Sequence, residues 1–118
     1  MNVGEAFYLN VADSHRYFVV FITAFPSRKV VVFNFSSHRP GKCDETCIVT
    51  PSEYLGIDHD SIVAYAYGDV LEGPSLSVFQ GTIGRPLPSL DNRLVGRILD
   101  GALTSRHTKL KIKRVLRP

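Results

Sequence analysis

The runs "YFVVFITAF" (residues 17–25) and "VVVFNF" (residues 30–35) constrain the fold more than any other feature of the chain. β-Branched and aromatic side chains fit a pleated sheet better than a helical turn, and runs this continuous imply strands buried on both faces or at a subunit contact. Neither approaches the roughly 18 apolar residues of a membrane-spanning helix. With "EAFYLNV" ahead of them, they predict three strands at residues 5–11, 16–25 and 28–36. The short "FPSRK" link makes the second and third an antiparallel hairpin.

Beyond Phe35 the pattern stops. "SSHRPGKCDET" is polar and carries a Pro-Gly turn signal, so it reads as an exposed loop. "CIVT" reads as a fourth strand and "SIVAYAYGDVL" as a fifth, while residues 74–83 fit either a helix opening at Pro74 or a strand. "PSLDNRLVGRILDGALTS" is the one strong helix signal: Leu90, Leu94, Ile98 and Ala102 recur on one face, Ser89 is placed to cap it, and Asp91 falls in the first turn. A length of 118 residues suits one domain. Five or six short antiparallel strands and one C-terminal helix describe a mainly β protein built as a small, strongly curved barrel.

The charge is uneven. Six of the 14 basic residues (Arg106, Lys109, Lys111, Lys113, Arg114 and Arg117) fall in the last thirteen positions with no acid among them, leaving eight basic and 11 acidic residues in 1–105. The basic tail at 106–118 fits a strand with one basic face, or a segment that orders on binding, and such a segment commonly meets a polyanion or an acidic protein. The start, "MNVGEAFYLN", has an acid where a signal peptide carries basic residues, which implies a cytoplasmic protein. In that compartment Cys43 and Cys47 are expected to be reduced. His38, Cys43, Cys47 and His59 are spaced more loosely than a zinc finger or ribbon, so no metal is expected, with Cys47 a buried strand residue and Cys43 a loop thiol.

Gly4-Glu5 before the first strand, Arg16 just ahead of the second, Ser36-Ser37 at the end of the third, and the order of "SIVAYAYGDVL", "GTIGRPLP" and "LDNRLVGRIL" resemble the MazF/PemK family of type II toxins. The likeness runs over about nine tenths of the chain. It departs in having Gly-Glu for Gly-Asp, Arg16-Tyr17 for Arg-Pro and Ser36 for threonine, and in a shorter loop, "VADSH", between the first two strands. The resemblance implies an SH3-like barrel that cuts single-stranded RNA without a cofactor, works as a homodimer and is covered by an antitoxin protein.

Such a cleavage needs a proton acceptor for the 2′-OH, charge to stabilise the phosphorane and a proton for the leaving oxygen. The resemblance makes Arg16 and Ser36 the catalytic pair. A guanidinium fork suits phosphate oxygens, and a serine can hydrogen-bond the same group. His15, Ser37, His38 and Arg39 would contact substrate, the last three from "SSHRPGKCDET" as a mobile lip, with His15 and His38 as side chains able to carry protons, and Lys109, Lys111 and Lys113 would hold the RNA backbone. Tyr17, Tyr54, Tyr65 and Tyr67 fit either base stacking or the core. The alternative function is a non-catalytic module that binds a protein or nucleic acid through the 36–47 loop and the basic tail.

Overall fold

A computed structural model describes residues 2–9, 19–24 and 29–117. The strands are β1 (Ala6–Leu9), β2 (Val19–Ala24), β3 (Val30–Ser37), β4 (Ile48–Val49), β5 (Ser61–Val63), β6 (Asp69–Leu71) and β7 (Ile83–Leu87). The α-helices are α1 (Gly73–Thr82), α2 (Asn92–Thr104) and α3 (Leu110–Leu116). All pairings are antiparallel, in the order β4-β5-β3-β2-β1-β7 with β6 also against β3. They form two antiparallel sheets that share β3. Among the described residues the path stays open from β4 to β7, so no closed barrel forms, and three helices stand where one was expected.

The two-faced burial expected of the third strand holds. Its alternation sends Val31, Phe33 and Phe35 into the main core, with Tyr65, Ile98 and Ile112, and sends Val30 and Val32 into a smaller cluster with Leu71, against which Phe7, Leu9, Leu76 and Phe79 pack. Each such side chain contributes about 1.5–3 kcal/mol when fully buried.

The expected fifth strand is broken in two. Tyr65–Tyr67 forms a 3-10 turn, after which the chain returns to β3: β5 pairs with Phe35–Ser37 and β6 with Val30–Val32. The turn drops Tyr65 into the core, where its hydroxyl donates to the Ile98 carbonyl at 2.8 Å. A Cβ at Gly101 would lie 2.1 Å from that hydroxyl oxygen, so only glycine lets α2 sit this close.

α2 begins two residues later than a Ser89 cap requires. Asp91 Oδ1 accepts from the Leu94 N–H at 2.8 Å, and the preceding Leu90 N–H is taken by the Gly4 carbonyl. Residues 74–83 resolve mostly as α1, opened by Pro74 and stabilised by the Glu72 N–H donating to Ser75 Oγ. The tail is neither a strand nor unformed: α3 buries Ile112 beside Gly68 and Phe33, and Lys111 Nζ lies 2.5 Å from Asp69 Oδ1. None of the described helices is long and apolar enough to cross a membrane.

Candidate active site at the end of the third strand

β3 leaves the core at Ser36 and Ser37, both exposed. Strand alternation puts them on opposite faces. Ser37 shares the face of Phe33 and Phe35, and Ser36 that of Val30 and Val32. β2 runs antiparallel to β3, with Val20 opposite Asn34 and Ala24 opposite Val31, so β2 begins at the end of the sheet where β3 finishes.

Across the β3–β5 ladder Ser37 stands opposite Ser61, and the His38 N–H donates to the Asp60 carbonyl at 3.0 Å. His59, two residues before Ser61, therefore falls on the Ser37 face. Its Nε2 lies 2.9 Å from Ser37 Oγ, and its Nδ1 lies 2.5 Å from Asp58 Oδ1. The carboxylate is 94% exposed and the imidazole 57%. The hydrogen bond from His59 holds the Asp58 carboxyl below its ordinary range, so it stays ionised and fixes the ring with Nε2 toward the hydroxyl. Hydroxyl, imidazole and carboxylate thus form an acid–base relay open to solvent.

On the other face His38 is committed elsewhere. Its Nε2 lies 2.7 Å from Glu45 Oε2, its side chain is only 15% exposed, and Glu45 Oε1 also accepts from the Gly41 N–H. Those two bonds, the His38 contact first, keep the Glu45 carboxyl below its usual range. Arg39-Pro40-Gly41-Lys42 closes a turn through Lys42 N–H to the Arg39 carbonyl, with Gly41 at φ 74° where a side chain would be strained. Asp44 accepts from the Thr46 N–H and, at 2.6 Å, from Ser105 Oγ, tying the loop to the end of α2. Burial pushes the Asp44 carboxyl up, but the Ser105 and Thr46 bonds outweigh it and the net shift is downward. The segment expected as a mobile lip is cross-braced along its length.

Of the sequence-predicted site residues, Ser36, Ser37, His38 and Arg39 gather at this sheet end, though only Ser37 joins the relay. Ser36 makes no side-chain hydrogen bond with a described residue. Arg16 and His15 lie outside the described residues, as does Tyr17. The lysines do not join the site: Asp69, the partner of Lys111, stands opposite Val32, roughly 17 Å of strand from Ser37. Lys109 caps α3 and Lys113 is half-buried on it. Tyr54 and Tyr65 are core residues, while Tyr67 is 80% exposed.

Sequence reasoning did not bring His59 and Asp58 to this sheet end, because "GIDHDS" alone reads as a turn. The signal was the Asp-His pair, and only the β3–β5 register brings it to Ser37. Cys47 is buried, and desolvation raises its thiol pKa; Cys43 is half-buried, its thiol against the Arg39 carbonyl. No group of three or more His, Cys, Asp or Glu side chains among the described residues is placed to hold a metal. A cleft over the first turn of α2, lined by Ser52, Glu53, Arg93 and Arg97, includes none of the relay residues. Compared with known protein families and with curated proteins, the chain matches none.

Proposed function

We propose that the chain is a metal-independent endoribonuclease that cuts single-stranded RNA in the cytoplasm, in the manner of the MazF/PemK toxins that its sequence resembles, with the curved sheet around β3 serving as an SH3-like open barrel. The observation that carries this reading is the Ser37–His59–Asp58 relay at an exposed sheet end. His59 Nε2 takes the proton of the 2′-OH, and the 2′-oxygen attacks the adjacent phosphorus. A 2′,3′-cyclic phosphate forms as the bond to the 5′-oxygen breaks, that oxygen takes a proton from solvent water, and His59 returns the proton it accepted to solvent. Ser37, released from Nε2 by the incoming hydroxyl, hydrogen-bonds the phosphate. Arg16, three residues ahead of β2 in the sequence, supplies the guanidinium that meets the phosphorane charge, and Ser36 assists from the other face. A homodimer and an antitoxin peptide laid over the same sheet end complete the proposal.

The test is incubation of a long mixed-sequence RNA with purified protein in excess EDTA, beside Arg16→Ala. Discrete fragments ending in 2′,3′-cyclic phosphate from the wild type, and none from the variant, are expected. Intact RNA in both lanes rejects metal-independent cleavage of those sequences. One observation favours a binding module instead: Glu45, Asp58 and Asp60 crowd the same sheet end, and carboxylates there repel phosphate while attracting a basic protein segment. In that case the wild type leaves RNA intact and binds a basic peptide, and Glu45→Gln weakens the complex.

A further inference from the structure

We propose that Arg85, shelved on Tyr8, is a phosphate-binding subsite for a single-stranded nucleic acid whose reacting group lies at Ser37 and His59. This rests on the ribonuclease reading for its substrate, but on a separate part of the sheet for its evidence. Arg85 projects from β7, which pairs with β1 on the edge of the strand order. Its guanidinium carbon lies 4.6 Å from the centroid of the Tyr8 ring. That stacking fixes the plane of the guanidinium, and its edge of N–H donors, which bonds no described residue, can meet an anion.

Arg85 is exposed and makes no ion pair with a described residue, whereas Arg97 is held by Glu53 and by the Ile48 carbonyl, and Lys111 by Asp69. A stacked guanidinium with no carboxylate partner among the described residues differs from a solvated lysine, because the stacking leaves less freedom to be lost when it binds.

Its location connects it to the relay. Tyr8 packs against the main core, on the face of β1 that carries Ala6, and Arg85 shares the parity of Leu87, which packs there too. Ser37 lies on that same sheet face by its parity with Phe33 and Phe35. β3, β2, β1 and β7 are consecutive in the strand order. At ~4.8 Å per strand, and with the stagger along the strands, Arg85 and Ser37 are on the order of 15 Å apart. The core closes that face between them, so an extended RNA strand a few nucleotides long would span the distance along the end of the sheet, and Arg85 would hold a phosphate away from the cut. It acts in positioning and not in the bond-breaking step.

The experiment measures binding of a fluorescent, mixed-sequence 2′-O-methyl RNA, which has no 2′-OH to ionise, across a salt series, and cleavage of ordinary RNA in parallel. Arg85→Ala is expected to weaken binding roughly tenfold for every sequence tried, and to lower the salt slope by about one. It should raise KM for cleavage with kcat unchanged, and Arg85→Lys should recover binding only in part. Equal affinity and slope for wild type and Arg85→Ala overturn the subsite, even with cleavage intact. Arg85-dependent binding without cleavage keeps the subsite and rejects the ribonuclease. A wild type that neither binds nor cleaves rejects both.

Discussion

The two ends of β3 share one backbone and meet opposite conditions. From Val30 to Phe33 every side chain is buried, divided between two apolar clusters and flanked by β2 and β6. At Ser36 and Ser37 the strand is exposed, held by β5, and its neighbours are histidines and carboxylates. The first end carries stability and tolerates little change. The second presents reactive groups whose removal leaves the core untouched.

The contrast can be broken most strongly at the packed end. Phe33→Ala, beneath Tyr65 and Gly68, should cost about 3–5 kcal/mol by denaturant unfolding. A loss below about 1 kcal/mol, in the range of an exposed substitution, would mean that the core is not packed as described. Next is Gly101→Ala, whose added methyl meets the Tyr65 hydroxyl; about 2 kcal/mol of destabilisation is expected. Adding Tyr65→Phe to that variant removes the oxygen in the way, so the pair should be less destabilised than the sum of the two singles.

The brace between the two regions should show a smaller effect. Ser105 is buried and donates to Asp44, so Ser105→Ala is expected to destabilise by about 1–2 kcal/mol near neutral pH. The Asp44 carboxyl is depressed in the folded state. Its contribution is therefore complete above the ordinary aspartate value near 3.8, and is lost as pH falls through the depressed one. The difference between wild type and Ser105→Ala should narrow below about pH 4. Thermal melts between pH 2 and 7 would test this, and a gap that widens in acid would contradict it. Smallest of all, Ser37→Ala and His59→Ala should change stability by under about 0.5 kcal/mol, because both side chains sit at an exposed strand end.

Much of the packed region was legible in the chain. The valine–phenylalanine runs announced β2 and β3, and the 3.6-residue recurrence of Leu94, Ile98 and Ala102 announced α2. Local pattern failed where tertiary contacts decide. "SIVAYAYGDVL" alternates well enough for one strand, yet Tyr65 gains more by entering the core under α2, and the segment kinks. "KLKIKRVL" alternates as a strand would, but Ile112 anchors it as a helix against Gly68 and Phe33. The site was half legible, since Ser37 stands in the sequence where the strand ends. Asp58 and His59 lie more than twenty residues further on and reach it only through the ladder register, which no local spacing encodes.

The central claim is that the exposed sheet end performs proton transfer on RNA. The most direct measurement is the initial cleavage rate of a single-stranded RNA in excess EDTA for wild type and His59→Ala, with melting temperatures alongside. A wild type that cleaves, and a variant slowed by about 10²–10⁴-fold with an unchanged melt, is the predicted result. Equal rates for the two proteins, or no cleavage by either, would contradict it.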